Sequence, residues 1–311
     1  MKKIILVILV SIFFLVLLNR FGFANNGFDL SNASVDQSLI LSGGPSKDGI
    51  PSLDKPKFVS ADEVDFLNPT DRILGMNYQG IVKAYPIKIL NFHEIVNDDF
   101  NGQPVAITFC PLCGSGIAYL TNINGKKHSF GVSGLLYNSD VLLYDRETNS
   151  LWSQIMSTAI SGPLLGHQLE MVTLSHTSWQ DWQQRYPESL VLSINTGFSR
   201  DYSTNPYQGY DLDNSIWFPV ATQDDSHPAK ALIIGIKIEG EFKAYPFSEL
   251  EKSSSELSDN FAGKDLIIRY NKQHQSASIS DKGGNELPAV TTFWFAWYAF
   301  HPEGSVFSMD D

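Results

Sequence analysis

The sequence predicts an α+β, β-rich fold: two degenerate ββαβββ repeats with an inserted α/β-and-loop segment. Three observations lead there. Residues 71–90, DRILGMNYQGIVKAYPIKIL, and 231–250, ALIIGIKIEGEFKAYPFSEL, are identical at 8 of 20 positions without a gap, and Lys83-Ala84-Tyr85-Pro86 recurs as Lys243-Ala244-Tyr245-Pro246. In each copy, apolar runs of strand length are broken by the turn signals Gln79-Gly80 and Glu239-Gly240. With 43% hydrophobic and 12% aromatic residues, the chain can bury a substantial core, and its two cysteines are too few to act as a disulfide scaffold.

Taken in order, residues 1–24 read as a signal peptide or an uncleaved N-terminal anchor. Lys2 and Lys3 precede an apolar run from Ile4 to Leu18 broken only by Ser11, and Gly22-Phe23-Ala24 offers small residues at both key positions of a cleavage site. The run is shorter than the ~20 residues a membrane span usually needs, but an anchor through residues 4–18 would still give membrane association. Either way the body of the protein is expected outside the cytoplasm, in the periplasm or an equivalent space. Residues 25–57, rich in Asn, Ser, Gly, Pro and Asp, read as a tether or irregular arm. Residues 58–311 read as a single domain. A formal charge of −12 argues against nucleic acid or anionic lipid as a partner.

Repeat one is expected over about 71–155 and repeat two over about 231–303. In each, a hairpin is followed by Pro86 or Pro246, which suits the first turn of a short helix. The first helix is expected to end near Asn97-Asp98. A strand follows in each copy, Val105–Phe109 and Leu266–Tyr270, and then a turn, at Asn124-Gly125 and at Lys282-Gly283-Gly284-Asn285. Between the repeats, about 156–230, a helix is expected over Thr177–Tyr186 and a strand over Leu190–Ser193. Residues 195–228 form a long polar stretch carrying Tyr202, Tyr207, Tyr210, Trp217 and Phe218, which reads as a packed lid. The apolar run Phe293–Phe300 is too short to cross a bilayer and reads as a buried core helix.

The chemistry concentrates in one repeat. Cys110 and Cys113, in Phe109-Cys110-Pro111-Leu112-Cys113-Gly114, align with Asn271 and His274 of the second copy. Three readings of the pair stand open. Two thiolates and an imidazole suit copper or zinc, with His93 as the natural third ligand and Met156 and His128 more remote. Thiol–disulfide exchange is the second, with Cys110 and Cys113 as the catalytic residues. Against it, Gly114-Ser115-Gly116 and the β-like Ile117–Leu120 follow where a thioredoxin-like fold would place a long helix. The third is a structural disulfide or two packed thiols within a non-catalytic binding or scaffold module. His93 alone reads more simply as a hydrogen-bonded core histidine, and Glu94 as its partner or a solvated acid. Tyr137, Asn138, Ser139 and Asp140 could line the site or form an ordinary turn. Asp211-Leu212-Asp213-Asn214 lacks the glycine and terminal glutamate of an EF-hand, the phosphate-loop lysine is missing, and G-x-S-x-G is absent.

Leu90–Asp98, the Phe109–Gly114 motif, Phe130–Asp140, Leu151-Trp152-Ser153-Gln154 and Phe293–Trp297 together resemble the DUF3179 family, whose function is unknown. The resemblance spans nearly everything from residue 58 onward. It implies an exported or membrane-associated bacterial or archaeal protein, and no reaction. The expectation is an exported metal-binding or metal-dependent redox protein.

Overall fold

The computed structural model describes residues 25–253 and 255–310. The expected signal or anchor lies outside these residues. The described chain is β-rich with a few short helices, and its strands form several sheets, none of them closed.

Two of these sheets share one plan. In the first, the hairpin Arg72–Tyr78 and Ile81–Pro86 is flanked by Ser175–Ser178 on one side and by Leu190–Leu192, running parallel, on the other. In the second, the hairpin Leu232–Ile238 and Glu241–Pro246 is flanked by Ala289–Phe293 and, again in parallel, Ser305–Val306. Each antiparallel flanking strand leads directly into a helix, Trp179–Arg185 or Trp294–Phe300. Each helix lays a tryptophan against a strand glycine. A Cβ on Gly75 would fall inside the Trp182 ring, and one on Gly235 inside the Trp297 ring.

The recurring Lys-Ala-Tyr-Pro now has a physical reason. Lysine and tyrosine two apart on a strand share a face, and both reach one aspartate on a neighbouring strand. Lys83 Nζ lies 2.8 Å and Tyr85 Oη 2.5 Å from Asp98, while Lys243 and Tyr245 meet Asp259 at 2.5 and 2.7 Å. The intervening alanines, 84 and 244, stand opposite Gly75 and Gly235.

After each hairpin comes a short helix, Ile87–His93 or Phe247–Leu250, and then a three-stranded antiparallel run. These runs are Ile95–Phe100, Gln103–Cys110 and Ser115–Leu120 in the first half, and Glu256–Phe261, Lys264–Asn271 and Ser276–Asp281 in the second. The first helix therefore ends earlier than Asn97-Asp98. Glu94 turns into the left-handed region at φ 56, and Ile95 pairs with Thr108 from there. The Asn101-Gly102 turn closes the hairpin of Ile95–Phe100 and Gln103–Cys110, and Asn124-Gly125 makes the expected two-residue turn, between the short strands Asn122–Ile123 and Lys126–Lys127.

A five-stranded sheet, Ile40–Ser42, Phe130–Tyr137, Asp140–Asp145, Leu151–Ser153 and Thr158–Ser161, is added to the first half. The segment read as a tether or irregular arm thus contributes an edge strand, and its Phe28, Ile40 and Leu53 are buried. The main core joins the cysteine hairpin, the added sheet and the second half, with Trp152, Phe130, Tyr119 and Phe295 at its centre.

Candidate functional site

Cys110 ends its strand opposite Ser115, as Asn271 ends its own opposite Ser276. The turn Pro111–Gly114 that follows is held by the other half of the molecule. Phe293 N and Thr292 Oγ1 both donate to the Cys113 carbonyl at 2.8 Å. Gly114 sits at φ 62 with the Phe293 ring 3.0 Å from where a Cβ would lie, so only glycine meets both demands here. At the base of the hairpin, Ser115 Oγ donates to Gln154 Oε1 at 2.6 Å and Gln154 Nε2 donates to Thr108 Oγ1 at 2.8 Å, all buried. A closed polar network of this kind fixes the position of the strand ends.

Both thiols point to a second tight turn. Cys110 Sγ lies 3.8 Å and Cys113 Sγ 3.5 Å from the Ser139 carbonyl oxygen. Asn138 and Ser139, at φ 51 and 63, form a two-residue hairpin turn in which both central residues are left-handed, a conformation that favours glycine. The lid holds that turn in place. Ala221 N donates to Asn138 Oδ1 at 2.8 Å, Ser139 Oγ donates to Phe218 O at 2.5 Å, and Asn138 Nδ2 reaches Ala299 O at 3.2 Å. Asp140 follows at once and is fully buried. Its Oδ2 accepts from Ile155 N at 3.0 Å, while Oδ1 has no hydrogen-bond partner among the described residues. One ligand atom from each of Cys110, Cys113 and Asp140 lies within 4.8 Å of the others.

This site is crowded with buried acids. Burial pushes the Asp140 carboxyl up to about 7, against the opposing effect of the Ile155 and Val141 amides and the two thiols. Burial also pushes Glu94 up to about 8, with Tyr207 opposing as a hydrogen-bond donor and the Asp140 charge adding to the rise. The Cys113 thiol stands well above its usual range because of burial first, then the Cys110 thiol beside it and Asp140. Tyr207 and Tyr210 of the lid are likewise raised, chiefly by burial, with Glu94 and Cys110 adding for Tyr207 and both thiols for Tyr210. Lys230 Nζ, the nearby cation, lies 3.5 Å from the centre of the Tyr210 ring and donates to the Tyr210 carbonyl.

Among the expected residues, the structure thus brings together Cys110, Cys113 and Asp140, with Glu94 in electrostatic reach. His93 is a correction. It is absent from the ligand cluster, and both ring nitrogens are spent elsewhere: Nδ1 on Pro51 O at 2.7 Å, Nε2 on Tyr202 Oη at 2.6 Å. Glu94 does not orient it. Tyr137 packs edge-on against Phe300, and Asn138 holds the turn. His128 lies 3.2 Å from Asp145, whose oxygens also take Thr148 and Trp152, and Glu147 beside it takes Ser129. That group is a satisfied structural clamp. The Ser139 carbonyl and the two lid tyrosines complete the site. The aromatic content of the lid signalled the tyrosines, and nothing in the sequence marks a carbonyl.

A cavity of about 520 Å³ adjoins the turn. It is walled by Pro111 and Gly114 on one side, by Gln273, His274 and Gln275 on the other, and by Tyr207 and Tyr210 between.

No curated protein and no solved structure matches the chain. The model of one family, described as "Protein of unknown function (DUF3179)", matches residues 47–286, well over half of the sequence, and the chain therefore belongs to the DUF3179 family.

Proposed function

We propose that this protein is an exported metal-binding protein whose ion is held by Cys110, Cys113 and Asp140. The observation that carries the reading is the gathering of two buried thiols and a buried carboxylate, Asp140, whose ligand atoms lie within 4.8 Å of one another, with Asp140 Oδ1 taking no oxygen or nitrogen donor among the described residues and the thiols as its neighbours. A buried carboxylate faced by weak thiol donors is costly to ionise, and a divalent cation would offset that cost. Coordination would also deprotonate the thiols, that of Cys113 against the burial that otherwise keeps it protonated. A set of two thiolates and a carboxylate suits zinc better than copper(I), which prefers sulfur and nitrogen. Three protein ligands leave one position open, the arrangement of a reactive zinc. Glu94, raised to about 8 and bonded to Tyr207, supplies a carboxyl able to carry a proton near that position.

A bound ion would also keep the pair from closing in an oxidising compartment, where an idle C-x-x-C tends to oxidise. Thiol–disulfide exchange fits less well. Cys110 and Cys113 are 1% and 0% exposed, and exchange needs a sulfur that a partner thiolate can reach. The two matching sheets, with their shared Lys-Ala-Tyr-Pro clamps, support descent from a duplicated ββαβββ unit in which one copy kept the thiols. Export, with cleavage after residue 24 or anchoring through residues 4–18, belongs to the same proposal.

The test is elemental analysis of protein isolated from the exporting compartment, and of protein reconstituted with zinc under reducing conditions. About one zinc per chain is expected for wild type, with loss in Cys110→Ser and in Asp140→Asn. Wild type without stoichiometric metal under both conditions sinks the proposal.

A further inference from the structure

The cavity beside the thiol turn has a polar floor that the metal site does not use. Arg72 lies on it. One guanidinium nitrogen donates to the His274 carbonyl and another to those of His176 and Gln275, each at 2.9 Å. These bonds use three of its five N–H groups, and no carboxylate lies within ion-pair distance among the described residues. Burial lowers its pKa to about 10, so it stays charged. Asp181 stabilises the cation from beyond ion-pair distance, but a charge withdrawn from water with no contacting anion remains costly, unless something else supplies that anion.

His176 stands next to it, 9% exposed, and its side chain makes no hydrogen bond among the described residues. Its Nδ1 is buried and unpartnered. On the facing loop His274 Nδ1 pairs with Ser178 Oγ at 2.7 Å, which fixes the orientation of that ring. The remaining walls are apolar over most of their area, with Phe109, Phe293 and Tyr207 foremost, and carry uncharged amides such as Asn91, Gln180 and Asn205. The one carboxylate on the lining, Asp211, is exposed to solvent. A volume of about 520 Å³ is that of a small-molecule site, and a mostly apolar wall with a few convergent polar groups is how such sites are built.

We infer that this cavity binds a small carboxylate with an apolar, planar body, its charge on Arg72 and His176 and its body between Phe109, Phe293 and Tyr207. The site lies between the two corresponding turns of the molecule, residues 110–114 and 271–275. The second half therefore has a task of its own, to supply the turn that carries His274. Arg72 from the first half holds this turn as Thr292 and Phe293 hold the first. The inference does not depend on metal binding.

Calorimetric titration of the purified full chain with benzoate, and with benzamide as its neutral counterpart, tests it. Benzoate is expected to saturate at one per chain and benzamide to bind tenfold or more weakly, as the loss of a charged hydrogen bond implies. Arg72→Gln should weaken benzoate by a similar factor. Gln273→Trp, an exposed position on the rim, should fill the cavity and abolish binding in a protein that still folds. Should Arg72→Gln fail to fold, Gln273→Trp decides. Equal binding of the two probes, no saturation by benzoate, or unchanged binding in folded Gln273→Trp overturns the inference. Metal content measured on the same samples keeps the two proposals separately refutable.

Discussion

Asp140 and His93 exchange the roles that their places in the sequence invite. His93 sits on the helix just before the cysteine strand, and proximity along the chain made it the natural ligand. The chain reverses at Glu94, however, and the imidazole is carried toward Pro51 and Tyr202, where both nitrogens are satisfied. Burial lowers its pKa, which keeps the ring neutral, as such a paired core histidine should be. His93→Gln should thus keep full zinc content and lose about 1–3 kcal/mol of stability from the broken pairings. Paired metal analysis and urea unfolding of that variant separate the two roles, and loss of zinc from a folded His93→Gln would restore His93 as a ligand. Asp140 was legible only as one of a run of polar residues. What makes it a candidate ligand is that Asn138 and Ser139 form a two-residue turn. That turn delivers the next side chain back beneath both thiols, a contact across 27 residues or more that no local pattern encodes.

At the scale of elements, the recurrence of Lys-Ala-Tyr-Pro was legible in the sequence, and in the structure both occurrences clamp an aspartate, Asp98 and Asp259. Its continuation was harder to see. Trp179-Gln180-Asp181-Trp182 and Trp294-Phe295-Ala296-Trp297 occupy corresponding helices, yet in sequence the first falls within the insertion, because 48 residues, 183–230, intervene before residue 231. The sheet pairing, Ser175–Ser178 on Arg72–Tyr78, is non-local and invisible to periodicity. The strand Ile95–Phe100 was missed for a related reason: Asn97, Asp98 and Asp99 look like a helix stop, but Asp98 is there to receive Lys83 and Tyr85. The tryptophan contacts give a symmetric prediction. Gly75→Ala and Gly235→Ala each place a methyl inside an indole ring, and each should cost about 1–3 kcal/mol of overpacking strain. Equilibrium denaturation of both variants checks it. A neutral effect at either position would mean that its helix can shift without cost and is not part of the packed sheet.

For the molecule as a whole, each half fastens the other's turn: Thr292 and Phe293 hold Cys113, and Arg72 holds His274 and Gln275. Loss of packing at the far end of one half should therefore reach the thiol turn. His301 offers a pH-controlled way to apply that loss. It follows the helix Trp294–Phe300, and its ring stacks on Phe242 with centroids 3.7 Å apart and packs edge-on against Trp297. Burial, with the Lys237 charge adding to it and the Phe300 backbone opposing, lowers its pKa to about 4. In the unfolded chain the same group titrates near 6.5. Between those values the unfolded state binds a proton that the folded state refuses. This term of stability is therefore intact above about pH 6.5 and is lost progressively as the pH falls toward 4. Allowing for partial solvent screening, the loss is about 1–3 kcal/mol. His301→Phe keeps the aromatic stack and cannot titrate. Urea unfolding at pH 7 and pH 4.5 should show a smaller difference for His301→Phe than for wild type, by about that amount. An identical pH dependence in the two proteins would show that the ring titrates freely, and that its stack on Phe242 and Trp297 does not keep it from water.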